Sequence, residues 1–483
     1  MHLPEYKTII NLESGKSLIL FFWRIEMSEK STSNQSRRDF LKTTGLVVAG
    51  TSLIGGLAPR VHAAENNTIK IALVGCGGRG NGAAVNALAT NNQGPVKLWA
   101  LADAFRDRVD VAFNSISADF GENVDVPEER KFVGLDSYKN AIDAIGPGGV
   151  VLLCTPPAFR PFHLDYAIEK GVHVFMEKSF CVDGPGYRKV KAAGEKATEK
   201  NLKIAGGLMT RHSPAVEECI KRIHDGQIGE VITNWVYRVH GQFPCSERPN
   251  GMSPLQHQLR NFNCFNWLCG SYAMDWMIHN LDIACWSKDS WPVECQGQGG
   301  RQVRTIKDQM FDHCAYEYRF ANGRQMFVQL RQQENTWGFF GAVVHGTKGT
   351  AVLGEGVHIS KIFKGIHSPQ YEAGAQEAAK DVVWEYTGPG YNQYQIEHDR
   401  LFAAIRADEP YNETSRCADA AMVGVLGRMA TESGKAIKWN DVVNSDVSLT
   451  DNLESLDLNG PSPLMPDANG DYEIAKPGIT PPR

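Results

Sequence analysis

Residues 68–80 have the sequence TIKIALVGCGGRG, and the predicted fold is organised around this stretch. Its first half is nearly all apolar, as a strand buried on both faces of a sheet requires. The second half places Gly75, Gly77 and Gly80 in the spacing GxGxxG, and residues 81–90 have a helical pattern. In such a unit one glycine allows a tight turn, the next lets the backbone approach a pyrophosphate, and the third lets helix and strand pack closely.

A second apolar run, residues 96–102, ends in Asp103, where a carboxylate can hydrogen-bond an adenosine ribose. The acid lies farther from the turn than the usual distance of about 20 residues because of an insert at residues 91–95. A glycine-rich turn is often only a turn, but the order strand, turn, helix, strand and acid predicts a dinucleotide site. Asp103 favours NAD over NADP because it would repel a 2′-phosphate, and Arg106 moderates that preference.

Further buried strands are predicted at residues 149–154, 172–176 and 202–205, with helical segments between them. This alternation predicts a Rossmann domain, an α/β fold with a doubly wound parallel sheet that binds ligands beyond the carboxyl ends of its strands. The predicted cofactor contacts at that edge are Gly75, Gly77, Gly78, Arg79, Gly80, Asp103, Thr155, Pro156, Glu177 and Lys178.

From about residue 229 the strands become longer, and Asn322-Gly323 between two β-rich runs predicts a hairpin. Residues 271–286 are predicted to form one helix. The second domain is therefore expected to be α+β, with a large, open, mostly antiparallel sheet. The predicted organisation is an N-terminal extension with a signal (1–64), the Rossmann domain (65–210), the α+β substrate and oligomerisation domain with late helices returning to the first domain (211–440), and a C-terminal tail (441–483).

The 50 basic and 55 acidic side chains give a net charge of −5 and are dispersed, which argues against nucleic acid as the main partner. Residues 36–42, SRRDFLK, are typical of a twin-arginine export signal, and a small-residue cleavage site follows near Ala63. We therefore expect a periplasmic or otherwise exported protein that uses the twin-arginine machinery and has no stable membrane span.

The eleven cysteines include no CxxC pair and no clustered ligand spacing, so no metal site is predicted. Most are expected to be small buried hydrophobic residues. In an oxidising compartment a disulfide involving Cys264 and Cys269 can form, although the sequence does not establish it.

Two constellations could carry chemistry. Lys178 follows a strand at the predicted nucleotide edge and could position a substrate hydroxyl, although a solvated lysine is common there. Asp275 and His279 stand at i and i+4, so they share a helix face, and Asp282 continues it. A histidine supported by a carboxylate suits proton abstraction from an alcohol, whereas the alternative is a structural histidine with an exposed acid. A zinc site is disfavoured because the segment offers no further spaced ligand.

The motifs VGCGGRG, CTPP, EKGVHVFMEKSF and GSYAMDWMIHNLD occur in this order, and together they resemble the Gfo/Idh/MocA oxidoreductase family over about residues 69–440. The resemblance implies a Rossmann and an α+β domain, an NAD(P) cofactor, a sugar or cyclitol substrate and a homo-oligomer. It also implies a catalytic trio of Lys178, Asp275 and His279, with His279 as the base.

Two positions depart from the family pattern. Ser179 stands where the family usually has proline, so the turn is expected to differ. Arg160 stands where many members have histidine, and it could serve an anionic substrate group, a phosphate contact or a surface ion pair.

Four further residues are candidate substrate contacts. Arg211 and His212 follow the last Rossmann strand, where a helix-cap region is the alternative interpretation. Arg260 and Trp267 precede the segment that contains His279, and packing explains such a tryptophan equally well.

The leading hypothesis is an NAD(P)-dependent dehydrogenase that acts on CH–OH groups of sugars or cyclitols. An exported enzyme has no obvious partner to reoxidise NADH, which motivates a second hypothesis: a glycosidase that retains its NAD, oxidises a sugar carbon, eliminates the glycoside and reduces the carbon back. A third hypothesis is a non-catalytic protein that binds a sugar or a dinucleotide.

Overall fold

The computed structural model describes residues 67–354, 360–372 and 376–483. The predicted export signal and its cleavage site lie outside the described residues. Asn66–Arg483 forms one compact unit, and the predicted domain boundaries within it stay predictions. Among the described helices, none combines the length and the apolar character that crossing a membrane requires.

The strands of the described residues belong to two sheets. They are β1 (Ile69–Val74), β2 (Val96–Asp103), β3 (Lys131–Val133), β4 (Val150–Leu153), β5 (His173–Met176), β6 (Ile204–Gly206), β7 (Val231–His240), β8 (Glu294–Gly300), β9 (His313–Arg319), β10 (Gln325–Gln332), β11 (Phe339–Gly346), β12 (Gly349–Leu353), β13 (Lys361–Lys364), β14 (Val382–Glu385) and β15 (Ile437–Lys438).

Helices connect these strands and cover the sheets. They are α1 (Gly78–Ala89), α2 (Arg106–Phe120), α3 (Ser137–Ile145), α4 (Arg160–Glu169), α5 (Gly184–Glu199), α6 (Pro214–His224), α7 (Pro254–Arg260), α8 (Asn266–Cys269), α9 (Tyr272–Asp275), α10 (Ile278–Lys288), α11 (Gln376–Lys380), α12 (Gln393–Ala407), α13 (Thr414–Ser433) and α14 (Trp439–Val443).

The first sheet has six parallel strands in the order β3-β2-β1-β4-β5-β6, which confirms the predicted doubly wound fold. Strand β1 lies between β2 and β4 and is buried on both faces. Ala72 and Val74 pack into one hydrophobic cluster, and Ile71 and Leu73 pack into another on the opposite face. This two-sided burial explains why β1 is an apolar run without alternation.

The second sheet has nine strands in the order β14-β13-β12-β11-β7-β10-β9-β8-β15. Its neighbouring strands are antiparallel except for the parallel pair β7 and β10, which confirms the predicted mostly antiparallel sheet. The hairpin predicted at Asn322-Gly323 joins β9 and β10. Helices α10 and α13 contact this sheet, and the Nδ2 atom of Asn234 on β7 donates to the Ala284 carbonyl at 2.9 Å.

The single helix predicted over residues 271–286 is wrong, because α9 ends at Asp275 and α10 begins at Ile278. In a continuous helix, the Met274 and Asp275 carbonyls would accept from backbone N–H groups one turn later. Here the Ser179 hydroxyl donates to the Met274 carbonyl and the Lys178 ammonium donates to the Asp275 carbonyl. The break therefore lies where the segment contacts the carboxyl edge of the first sheet.

Candidate active site

The glycines of the turn between β1 and α1 differ in whether the surrounding protein leaves space for a side chain. Gly75 has φ +99°, and a Cβ there would lie 2.6 Å from the Cys154 backbone carbon. A Cβ at Gly80 would lie 2.0 Å from the Gly75 carbonyl oxygen. By contrast, a Cβ at Gly77 would meet nothing nearer than an Arg108 nitrogen at 4.0 Å, and one at Gly78 would meet nothing within 4 Å. The chain's own packing therefore requires the first and third glycines, and the middle of the turn faces open space.

That open space is a cavity at the carboxyl edge of the first sheet, beside the N-terminus of α1. Eight of the ten predicted cofactor contacts line it, namely Gly75, Gly77, Gly78, Arg79, Gly80, Asp103, Thr155 and Pro156. The other two, Glu177 and Lys178, follow β5 at the same edge of the sheet. Because parallel strands bring their carboxyl ends together, residues distant in sequence share one cavity.

Asp103 is fixed in the cavity wall at the end of β2. Its Oδ2 atom accepts from the Cys76 N–H at 2.8 Å, and its Oδ1 atom accepts from the Phe105 N–H at 3.0 Å. Burial raises the pKa of this carboxyl above its ordinary value. Arg106 is half exposed and forms ion pairs with Asp110 and Glu128, and its influence on the choice between NAD and NADP stays a prediction. Arg108, two residues further along α2, lines the cavity.

Part of the cavity wall comes from beyond the first sheet, and no sequence pattern predicts it. We call residues 254–264, which comprise α7 and the turn after it, the covering segment. Its Leu259 and Phe262 line the cavity. Arg260, between them, forms an ion pair with Asp107 at 2.8 Å, and its guanidinium lies 3.9 Å from the centre of the Phe105 ring. Arg260, predicted as a substrate contact, is therefore found at the Asp103 end of the cavity.

Arg160 and His163 on α4 contact Thr155, one of the residues that line the cavity. Arg160 is fully buried and donates to the carbonyls of Leu153 and Thr155, so the predicted surface ion pair is wrong. Burial lowers the pKa of Arg160 to about 10. His163 contacts the Thr155 hydroxyl at 3.1 Å, and burial lowers its pKa to about 3, so it is neutral at ordinary pH. Together these two residues hold Thr155 in place.

Lys178, which follows the first sheet, and Asp275 of α9 are two members of the predicted catalytic trio, and they contact each other. The Lys178 Nζ atom donates to the Asp275 carbonyl and lies 2.8 Å from its Oδ1 atom. The Lys178 side chain is 21% exposed and that of Asp275 is 4% exposed. The Lys178–Ser179 peptide bond is cis. A lysine from the first sheet and a carboxylate from the α9 segment are thus joined at the predicted site.

His279 lies in the first turn of α10 and is buried. Burial lowers its pKa well below the ordinary value, and the positive charges of Lys178, Arg238 and Arg79 lower it further. Its imidazole is therefore neutral and able to accept a proton. The expectation that Asp275 orients this histidine from one helix turn away is not met, because the carboxylate bonds Lys178 and no described group bonds His279 Nδ1.

Glu177 connects the lysine to the glycine turn. Its carboxylate forms an ion pair with the Arg79 side chain, at the start of α1. The Arg79 guanidinium also lies 3.9 Å from Glu397 on α12. Burial and the charge of Glu177 raise the pKa of Glu397 well above its ordinary value. Arg79 therefore lies between two carboxyl groups, of which that of Glu177 is the nearer.

The remaining predicted substrate contacts are engaged elsewhere. Arg211 forms a bidentate ion pair with the buried Asp282. His212 is buried 3.6 Å from Glu413. Trp267 is 5% exposed and donates from Nε1 to Gln258 at 2.7 Å, which favours the packing interpretation. Their role in substrate binding stays a prediction.

Comparisons with known proteins give a consistent result. Residues 216–352 match the family model described as GFO/IDH/MocA C-terminal domain. Inositol 2-dehydrogenase of Rhizobium meliloti (strain 1021) is 24% identical over 285 residues, which cover 58% of this chain and 74% of that protein.

Two solved structures share the fold. Scyllo-inositol dehydrogenase from Lactobacillus casei with bound NAD(H) and scyllo-inositol aligns with a TM-score of 0.55 and 15% identity, covering 77% of this chain and 100% of that one. Aldose-aldose oxidoreductase from Caulobacter crescentus, complexed with glycerol, aligns with a TM-score of 0.57 and 16% identity over the same shares.

Proposed function

We propose that the chain is a Gfo/Idh/MocA-type dehydrogenase that transfers a hydride between a sugar or cyclitol CH–OH group and a nicotinamide cofactor, which the family match and the similarity to inositol 2-dehydrogenase support. The observation that carries this proposal is the Lys178–Asp275 contact at 2.8 Å, with the neutral imidazole of His279 close enough to be influenced by the lysine charge. Lys178 follows β5 at the same sheet edge as the glycine turn, and it joins Asp275 to that edge.

The residues of the cavity fit a dinucleotide. The open positions at Gly77 and Gly78 leave room for a pyrophosphate against the backbone, and the free N–H groups at the start of α1 would bind it. The oriented Asp103 carboxylate would accept from a ribose hydroxyl, and it supports NAD over NADP. When bound, the nicotinamide ring supplies the hydride acceptor for oxidation and the hydride donor for reduction.

The chain's own groups then have distinct tasks. A lysine ammonium has three N–H donors, and Asp275 accepts two of those of Lys178. The third can hold the substrate hydroxyl and stabilise negative charge on its oxygen. His279 accepts the hydroxyl proton, and its depressed pKa keeps it unprotonated for that task. Asp275 acts through Lys178, whose ammonium it fixes in position.

The test is a substrate screen on the purified chain. With NAD⁺ and a panel of cyclitols, aldoses and glycosides, we expect a substrate-dependent rise in NADH absorbance, which Lys178→Met and His279→Asn each reduce. Aglycone release with no net NADH would favour the NAD-retaining glycosidase instead. Binding of a sugar and NAD with no turnover would favour the non-catalytic alternative, and no NAD binding would refute the proposal.

We also propose that the protein is exported by the twin-arginine route and assembles as a homo-oligomer. The SRRDFLK sequence at residues 36–42 supports export. A reporter fused after residue 66 should reach the periplasm with the natural sequence, and it should remain inside the cell when Arg37 and Arg38 are both replaced by lysine. Light scattering of the purified chain measures its assembly state.

A further inference from the structure

Two cysteines from separate segments meet at the end of the covering segment. Cys245 follows β7 in residues 241–249, which form no helix or strand, and Cys264 is the last residue of the covering segment. Their Sγ atoms and the Asp308 carboxylate lie within 4.8 Å of one another. The partner expected from the sequence, Cys269, instead donates from Sγ to the Asn263 carbonyl at 3.6 Å. All eleven cysteines lie in the described residues, and none of them is in a disulfide.

A metal ion is a poor occupant of this cluster. The Asp308 oxygens already accept from the Arg301 and Arg304 guanidinium groups and from the Met310 N–H. Asp308 and Arg304 are both fully buried, so this ion pair is well shielded from solvent. Two guanidinium charges beside the carboxylate would repel a cation, and the carboxylate has little acceptor capacity left for one. The two thiols are therefore the reactive part of the cluster.

We propose that Cys245 and Cys264 form a disulfide in the exported protein. This rests on the proposed export, because disulfides persist in oxidising compartments, and not on the proposed reaction. The two thiols lose two protons and two electrons as the S–S bond forms. The disulfide of a thiol–disulfide oxidoreductase, or of oxidised glutathione, takes them up and is cleaved to two thiols. Cys245 lies in a segment without regular structure, so its sulfur can approach the other without disturbing a helix or strand.

The bond would change how the nucleotide cavity opens. It would close a loop that contains α7 and would tie the covering segment to the chain that leaves β7. Leu259 and Phe262 of that segment line the cavity. A closed loop would restrict the movement of the covering segment, and nucleotide release would therefore be slower. We expect the oxidised form to release NADH roughly 10-fold more slowly than the reduced form, since closing a loop of this size disfavours its open conformations.

The decisive experiment maps the bond in the full chain. The reduced protein is equilibrated in a glutathione buffer of exported-compartment potential, alkylated, and digested without reduction for mass spectrometry. We expect the peptides of Cys245 and Cys264 to be joined with the loss of two hydrogens, and the other nine cysteines to be alkylated. Separate alkylation of Cys245 and Cys264 would overturn the proposal, as would a bond from Cys264 to Cys269 or one equivalent of bound zinc.

Nucleotide release is measured by stopped-flow fluorescence of NADH on oxidised and reduced protein. The difference should vanish in Cys245→Ser and persist in Cys314→Ser, a control at another partly exposed cysteine outside the cluster. Equal release rates in both redox forms would refute the effect on the cavity. Because disulfide mapping needs no nucleotide, a chain that fails to bind NAD could still carry the bond, so the two proposals fail separately.

Discussion

Replacing Gly77 with alanine should weaken nucleotide binding without destabilising the fold. The backbone there is extended, with φ −76° and ψ −178°, which alanine adopts readily. The added Cβ would meet no protein atom nearer than 4.0 Å, so the free energy of unfolding should change by less than about 0.5 kcal/mol. The methyl group would instead occupy the space where a pyrophosphate must approach the backbone. Overpacking of this kind costs about 1–3 kcal/mol, which corresponds to a roughly 5- to 150-fold higher Kd for NADH.

Calorimetric titration with NADH measures this Kd, and urea denaturation of the apoprotein measures stability. Gly121→Ala is the matched control, because its Cβ also meets nothing within 4 Å but it lies outside the cavity, and both quantities should stay unchanged. Gly80→Ala should behave in the opposite way, since its Cβ would lie 2.0 Å from a backbone oxygen and must destabilise the apoprotein. An unchanged Kd in Gly77→Ala would show that the nucleotide does not lie over this turn.

Three further changes test other parts of the site. Lys178→Met should lower kcat about 100- to 10,000-fold in stopped assays while the Kd for NADH changes less than about 3-fold, because Lys178 and Asp275 act at the hydroxyl; an equal loss in Kd would contradict this role. His163 has a folded pKa of about 3, below its unfolded value, so its contribution to stability is complete above pH 6.5 and is lost as the pH falls below it. Between pH 7 and pH 5 the free energy of unfolding, measured by urea denaturation, should therefore fall by about 2 kcal/mol less in His163→Asn than in the natural protein. An equal fall in both proteins would refute the assignment. Arg260→Ala should raise the Kd for NADH about 5-fold by calorimetry, because a partly exposed ion pair and a ring contact together contribute about 1 kcal/mol, whereas Arg106→Ala should leave it unchanged.

The sequence predicts those parts of the site that depend on local chain geometry. The strand that ends in Gly75 and the acid at Asp103 follow from an apolar run and a fixed spacing, and both lie where expected. Lys178 follows from its position after a buried strand. In each case the carboxyl edge of a parallel sheet fixes the location once the strand is recognised.

Contacts between distant segments could not be predicted in the same way. Leu259 and Phe262 have no local signal, because what places them at the cavity is the packing of α7 beside α2. The helix break after Asp275 likewise depends on Lys178 and Ser179, nearly a hundred residues earlier, whose side chains bond the carbonyls of α9. Helix periodicity alone therefore predicted His279 as the partner of Asp275, whereas the structure shows that its partner is Lys178.

Four charged side chains of alternating sign form one row that runs from the glycine turn, where the cofactor is expected, to the proposed substrate site. Arg79 at the glycine turn pairs with Glu177, the next residue is Lys178, and Lys178 pairs with Asp275. Two positive and two negative charges cancel along this row. Arg160 is charged but lies outside this row, because its guanidinium donates to the backbone carbonyls of Leu153 and Thr155. A row without net charge gains little from an anionic substrate group, whereas its remaining N–H donor and neutral imidazole match a hydroxyl. We therefore expect a neutral polyol or sugar to be oxidised faster than the corresponding sugar acid.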